Sequence, residues 1–296
     1  MNKKAPRERS RELDQFYTHP DYAASFLRKV QQYVSFNNID VLLEPSAGTG
    51  SFYNLLDTSK RVGLDLEPKS LGIIEQDFFT WVPESGSKVV TIGNPPFGKN
   101  SNLAVRFFNH AATFSEAIAF VLPRTFKKAS IINRLEKHFH LVYEEIVPDN
   151  SFIHNNKPYN VWCCAQIWVK KDEFRETVKT VGFNAVKEWF EIVKPVDADF
   201  AIQRVGGRAG LLRTSDFATY SSESHYFIKQ HSPLVLDIFM NVSYEEVKYN
   251  TAGNPSISPS ELIELWLAEA LTRGVKVTVS PTLKKFEPIQ TLFSFQ

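Results

Sequence analysis

Four consecutive residues, Asn94-Pro95-Pro96-Phe97, carry the densest chemical information in the sequence. Adjacent prolines fix φ and stiffen a turn, so the Asn94 side-chain oxygen and the Pro95 carbonyl can be aimed at one point. Both groups accept hydrogen bonds, which suits an amino nitrogen carrying two hydrogens. Drawing electron density onto that nitrogen and holding it tetrahedral readies its lone pair for attack on a methyl sulfonium. Placement and electrostatics then do most of the catalysis, and no covalent nucleophile is required. Phe97 can stack on a flat acceptor. The plainer alternative is a turn and nothing more.

Three further features lie upstream, in the order an adenosine-containing ligand would need them. Glu44-Pro45-Ser46-Ala47-Gly48-Thr49-Gly50 follows a short apolar run, and its small residues let the backbone turn sharply near a ligand. The spacing is neither the dinucleotide fingerprint nor a phosphate-gripping P-loop. A cofactor with a positive sulfonium or amino group and no phosphates would welcome Glu44. Asp65 sits at the tip of the next apolar run, where a carboxylate can accept from both ribose hydroxyls. Asp77-Phe78 can accept from an adenine amino group and cover the base face. Taken singly, each of these also reads as a tight turn or a solvated strand end.

These residues need a scaffold that brings strand ends together. Short apolar runs at 39–43, 61–66, 88–92 and 117–122 alternate with helical material, notably 102–114, and a helix is expected after Pro20. The alternation predicts an α/β fold with a doubly wound, mostly parallel sheet. A further strand is expected at 161–169, with 141–146 beside it. Cys163 and Cys164, the sole cysteines, fall in that strand and should point to opposite faces as buried thiols. No Cys/His spacing resembles a metal site, so no metal is expected.

With 43% hydrophobic and 23% charged residues, the composition is that of a globular protein. No apolar run is long enough to cross a membrane, and the polar N-terminus does not fit a secretory signal, so a cytoplasmic location is expected. A net charge of +1 gives little support to a nucleic-acid partner unless the charge is segregated. Local segregation is present in residues 1–15, read as a flexible basic arm with Lys3, Lys4, Arg7, Arg9 and Arg11. A charged break at 170–173 divides the rest into domains at 16–172 and 173–296. The second is expected to be smaller and mixed, with a helix over 261–271 capped by Ser260.

The cofactor loop, Asp65, Asp77-Phe78 and Asn94-Pro95-Pro96-Phe97 together resemble the class I S-adenosylmethionine-dependent amino-methyltransferases, specifically the N6-adenine DNA methyltransferases. The resemblance covers roughly residues 13–170 and implies a Rossmann-like fold, S-adenosylmethionine as cofactor and DNA as substrate. Phe16-Tyr17-Thr18-His19-Pro20 resembles the family's N-terminal segment, which implies that Tyr17 and Thr18 lie over the methionine part of the cofactor. His19 is an insertion relative to that segment, and Ser46-Ala47 stand where Cys or Gly is frequent. The resemblance also implies that Phe152 stacks on the target base, with a core position as the competing reading.

Segment order implies that residues 173–296 recognise the target. Arg204, Arg208 and Arg213, set among Gly206, Gly207 and Gly210, are the expected phosphate contacts. The competing functions are methylation of RNA adenine, methylation of a protein glutamine, and an inactive nucleic-acid-binding or assembly module. Glutamine methyltransferases of this type usually carry Tyr where Phe97 stands.

Overall fold

The computed structural model describes residues 16–277, which form two compact units meeting between Val178 and Lys179. The basic arm expected at 1–15 lies outside the described residues. In the first unit, the elements run β1 (Tyr17–Thr18), α1 (Pro20–Tyr33), β2 (Val41–Glu44), β3 (Arg61–Asp65), β4 (Ile74–Glu75), β5 (Val89–Gly93), α2 (Asn102–Ala111) and β6 (Ser115–Pro123). They continue through α3 (Ala129–Ile132), β7 (Phe139–Ile146), β8 (Phe152–His154), β9 (Lys157–Tyr159) and β10 (Cys163–Lys170).

Seven strands form one sheet in the order β4-β3-β2-β5-β6-β10-β7. The first five are mutually parallel, and β10 runs antiparallel to both of its neighbours. From β2 the chain winds outward through β3 and β4, then returns to place β5 on the other side of β2. That reversal makes a doubly wound, Rossmann-like sheet with its switch point between β2 and β5, where ligands bind beyond the carboxyl ends of the strands. The loops at 45–50 and 94–97 both leave the sheet at this crevice.

Alternating side chains on each strand divide the core in two. Leu42, Val90, Ile92, Ala119, Val121, Cys163 and Ala165 pack against Phe26, Leu27 and Val30 of α1. Leu43, Val89, Ile118, Phe120, Leu122, Cys164 and Trp168 pack with Val105 and Phe108 of α2 on the opposite face. The two cysteines are therefore buried back to back, free and on separate faces. Both faces of the sheet are covered, which is why its strands read as nearly continuous apolar runs. The crossovers after β2 and β3 hold little helix; a single 3-10 turn (Tyr53–Leu55) follows β2, and Pro68 and Gly72 interrupt the stretch after β3. Residues beyond the charged break stay with the first unit: the Arg175 amide donates to Lys137 O at 2.9 Å and the Val178 amide to Asn133 Oδ1 at 2.9 Å.

A second, three-stranded sheet β1-β8-β9 lies within this unit. Asn155 and Asn156, both at left-handed φ (50° and 57°), make the two-residue turn of its β8–β9 hairpin.

In the second unit, β11 (Phe190–Ile192), β12 (Phe200–Gln203), β13 (Leu212–Arg213) and β14 (His225–Gln230) form an antiparallel sheet ordered β11-β14-β12-β13. One face packs with α4 (Leu234–Phe239) and α5 (Pro259–Thr272) around Phe190, Phe200, Ile228, Phe239 and Trp266. Ser258, not Ser260, caps α5: Pro259 takes the first helical position, so the cap falls one residue earlier, and Glu261 completes a capping box. Among the described residues no helix is long and apolar enough to cross a membrane, and no His/Cys/Asp/Glu group could hold a metal.

Candidate functional site

The loops after β2 and β5 are joined across the switch point by one hydrogen bond, from Ser46 Oγ to the Asn94 carbonyl at 3.0 Å. Asn94 itself is fixed by its side-chain amide, whose Nδ2 donates to the Phe16 carbonyl at 3.1 Å. With the nitrogen so engaged, Oδ1 is the free acceptor. It is buried and has no hydrogen-bond partner among the described residues. Buried acceptors are nearly always satisfied in native proteins, so an orphan of this kind marks a place where a donor is missing. Among the described residues no backbone amide donates to the neighbouring Pro95 carbonyl. Phe97 is half-buried against the α1 side of the core, and its carbonyl accepts from the Leu103 and Ala104 amides at the start of α2. Asn100 and Ser101 then turn the chain at left-handed φ of 53° and 60°, unusual for side-chain-bearing residues.

Strand β1 closes over the glycine loop at 45–50. Thr18 is buried, its carbonyl accepts from Ser51 Oγ at 2.6 Å, and its own hydroxyl Oγ1 has no partner. The Tyr17 ring lies directly on Gly48, where φ is +50° and a Cβ would come within 2.7 Å of the ring. Gly48 thus serves the close approach of Tyr17 as well as the turn. Burial pushes the Tyr17 phenol up, with the carboxylates of Asp65 and Glu67 adding to the effect. Gly50, also at positive φ, is followed by the turn that leads into Tyr53.

Asp65 receives the Gly48 amide on Oδ2 at 2.7 Å and the Glu67 amide on Oδ1 at 2.8 Å. Each oxygen keeps lone-pair capacity for a further donor. The Asp65 carboxylate therefore shapes the glycine loop and remains half-exposed beside it.

Glu44 departs from expectation. It is 2% exposed, and its Oε2 accepts the Tyr53 amide at 2.6 Å, so it holds the loop's return instead of presenting charge to a cation. Burial pushes its pKa well up, against the opposing effect of backbone amides. Because the folded-state pKa of this acid is raised, the folded protein holds the proton longer than the unfolded chain. Stability from this group therefore falls as pH rises from the ordinary carboxylate range toward the folded-state value. Glu44→Gln keeps an acceptor for Tyr53 and removes the titration. The variant should lose less stability than the wild type as pH rises above the ordinary carboxylate range, read from denaturant midpoints. Equal losses would mean that Glu44 ionises normally.

Two aromatic assignments are corrected. Phe78 is a core side chain, buried among Phe107, His110 and Phe114, so it cannot cover a base; Asp77 is exposed and caps the turn by accepting the Phe79 amide at 3.0 Å. Phe152 is 1% exposed and belongs to the α1 side of the core. The reason is position: Phe152 lies in the middle strand of the small sheet, covered by Thr18 on one side and Tyr159 on the other. The exposed ring in that sheet is Tyr159, 42% exposed, stacked on Phe16 at 4.9 Å and 7° with His154 against both. Sequence reading missed Tyr159 and the Phe16 carbonyl. The Asn155-Asn156 turn was a usable signal for the first, whereas a backbone carbonyl leaves none for the second.

The three arginines of the second unit do not form one cluster. Arg204 lies over Tyr226, 5.2 Å from the ring centroid, on the face that packs with α5. Arg213 stands opposite Ala201 on the other face, and Arg208 is exposed in the intervening turn. The loop at 250–256 is folded back, with the Ser256 amide donating to Lys248 O and the Gly206 amide to Pro255 O.

No protein-family model matches the chain, and no curated protein matches it. Among solved structures, it is similar to an RNA methyltransferase candidate from Pyrococcus horikoshii, with 17% identity over 53% of this chain and 87% of that one and a TM-score of 0.40. The 23S rRNA methyltransferase ErmE gives 14% identity over 51% and 69% of the two chains, with a TM-score of 0.38. Magnesium protoporphyrin IX methyltransferase from Synechocystis PCC 6803, with bound SAM, gives 10% identity over 52% and 80%, with a TM-score of 0.34. At these identities and scores the likeness decides neither activity nor substrate.

Proposed function

We propose that the chain is an S-adenosylmethionine-dependent methyltransferase acting on the exocyclic amine of a nucleic-acid base, N6 of adenine in DNA. The observation that carries this reading is the buried Oδ1 of Asn94, unpartnered among the described residues and oriented by the Phe16 carbonyl at the start of a proline-stiffened turn. Two acceptors at one strand exit match an amine with two hydrogens, and they match neither a hydroxyl nor a carbon acceptor as well.

The residues present fit the cofactor. The Gly48 amide donates to the half-exposed Asp65, the Tyr17 ring covers Gly48, and the neighbouring Thr18 hydroxyl lacks a partner among the described residues, a donor and acceptor set suited to that ligand. Asp65 would hold the ribose hydroxyls, and Thr18 with the loop backbone would hold the amino-acid end. When bound, the cofactor supplies an electrophilic methyl group on sulfur. The chain does the rest: Asn94 Oδ1 and Pro95 O would accept hydrogen bonds from the amine and favour the pyramidal nitrogen, while Phe97 and Tyr159 offer ring faces to the base. Residues 179–296 would supply target affinity.

Asp65→Ala should weaken S-adenosylmethionine binding by tenfold or more, because hydrogen bonds to a charged group contribute about 1.5–3 kcal/mol each. Unchanged affinity in calorimetry would remove Asp65 from the site. The function itself is tested with labelled cofactor and mixed DNA and RNA, digested to nucleosides and separated by mass. Label in N6-methyldeoxyadenosine supports the reading. Label in N4-methyldeoxycytidine or a methylated ribonucleoside changes the substrate, and label only in protein ends it.

A further inference from the structure

The second unit holds polar groups that the proposed reaction leaves unused. Ala201 stands opposite both Arg213 and Phe227, and Gln203 opposite His225, so Arg213, His225 and Phe227 share the sheet face turned away from α4 and α5. The segment after β13 crosses this face. Phe217 anchors it against Phe227 (ring centroids 6.3 Å), and the Tyr220 ring lies nearly flat on the His225 imidazole, 4.5 Å away at 13°. The Arg213 guanidinium sits over the same Tyr220 ring at 5.1 Å.

Among the described residues no carboxylate is paired with this guanidinium or this imidazole. His225 is 8% exposed, and neither its Nε2 nor the Arg213 Nε has a hydrogen-bond partner. The carboxylates of the crossing segment are turned to other tasks or to solvent: Asp216 accepts the Ser215 hydroxyl, and Glu223 is exposed. Farther along the face, Lys229 is paired with Asp199. The tautomer follows from the neighbours. With the Ser224 hydroxyl hydrogen on the Ser221 carbonyl at 2.9 Å, the His225 Nδ1, 2.9 Å from that hydroxyl, carries the ring proton. Nε2 is then a bare acceptor in a positive field, and burial together with Arg213 pushes the imidazole pKa down. An arriving anion would reverse that balance by giving Nε2 a reason to take a proton.

We propose that this face of the second unit binds a phosphate group, with the Arg213 guanidinium as its charge partner and His225 Nε2 as a second donor that takes up a proton on binding. Tyr220 is the cover of the site. The chemistry is that of a phosphate oxygen, whether carried by a nucleic-acid backbone or by a free phosphate, and it does not depend on what the first unit catalyses. Arg204, on the opposite face against Tyr226, takes no part.

The test uses the full chain and the side-chain nitrogen resonances of its histidines, with His225 assigned through His225→Gln. Inorganic phosphate and, separately, a short DNA or RNA oligonucleotide are titrated in across a pH series. The expected result is a shift of the His225 Nε2 signal and a rise in the pH at which it titrates. Arg213→Lys keeps the charge and loses the planar fork, and should weaken the effect about tenfold, while Arg204→Lys leaves it unchanged. Movement with both probes supports a backbone phosphate as ligand; movement with inorganic phosphate alone supports a free phosphate. A His225 signal indifferent to both probes overturns the proposal, and methyl transfer, which is not measured, stays untouched by that outcome.

Discussion

Asn94→Ala is expected to lower methyl transfer about a hundredfold, the effect of removing one preorganised group worth on the order of 3 kcal/mol, while cofactor affinity stays close to that of the wild type. The reasoning starts from the amine. A lone pair delocalised into a base ring is a poor nucleophile, and two acceptors placed out of the ring plane favour the pyramidal form that attacks. That preference develops mainly in the transition state, so the loss should fall on kcat more than on KM. The side-chain amide is not a loop ornament: its Nδ2 holds the Phe16 carbonyl, and its main-chain carbonyl takes the Ser46 hydroxyl. Asn94→Asp is the sharper control, because it keeps an acceptor at Oδ1 but places a second acceptor against Phe16 O, where a donor is required. It should be nearly as inactive as the alanine variant. Single-turnover rates with saturating cofactor measure both, and wild-type rates in either would move the chemistry away from this loop.

Phe152→Ala should cost about 3–5 kcal/mol of stability, the usual range for emptying a buried phenylalanine site. Its ring is packed on the α1 side of the core beside Phe26 and Val121, in a strand paired on both edges. Tyr159→Ala should behave in the opposite way. It removes a half-exposed ring whose stack on Phe16 stabilises the fold by about 1 kcal/mol, so the melting midpoint moves little. Loss of a base-stacking surface should instead weaken target binding about tenfold. Denaturant melts and oligonucleotide titrations of the two variants separate the roles. A stable Phe152→Ala protein that cannot bind target would restore Phe152 to the site and remove Tyr159 from it.

Local chemistry alone determined a good deal of this protein. The apolar runs that became β2, β3, β5, β6 and β10 are legible because both faces of a covered sheet must be apolar. Cys163 and Cys164 were bound to face opposite sides, since the strand period is two. The stiffness of Asn94-Pro95-Pro96-Phe97 also needs no partner to be predicted, because proline carries its restriction within itself. The alternation of strands and helices fixed the fold class, although it overstated the helix in the crossovers after β2 and β3.

Only the tertiary structure decided which of these groups meet. Ser46 and Asn94, 48 positions apart, share a hydrogen bond because the winding order reverses between β2 and β5, and strand order is not encoded in any local period. Which aromatic faces outward was equally hidden. Phe78 and Phe152 turn into the core while Tyr159, though paired with Phe152 across the small sheet, lies in its outer strand and stays at the surface. Glu44 reads as an anion in the sequence, and burial against the Tyr53 amide makes it a structural acceptor. The arginines at 204 and 213 look like one cluster along the chain, and pleating sends them to opposite faces of a sheet. The orientation of the Asn94 amide rests on a main-chain carbonyl at Phe16, a group every residue possesses, so nothing in the side-chain code could mark it.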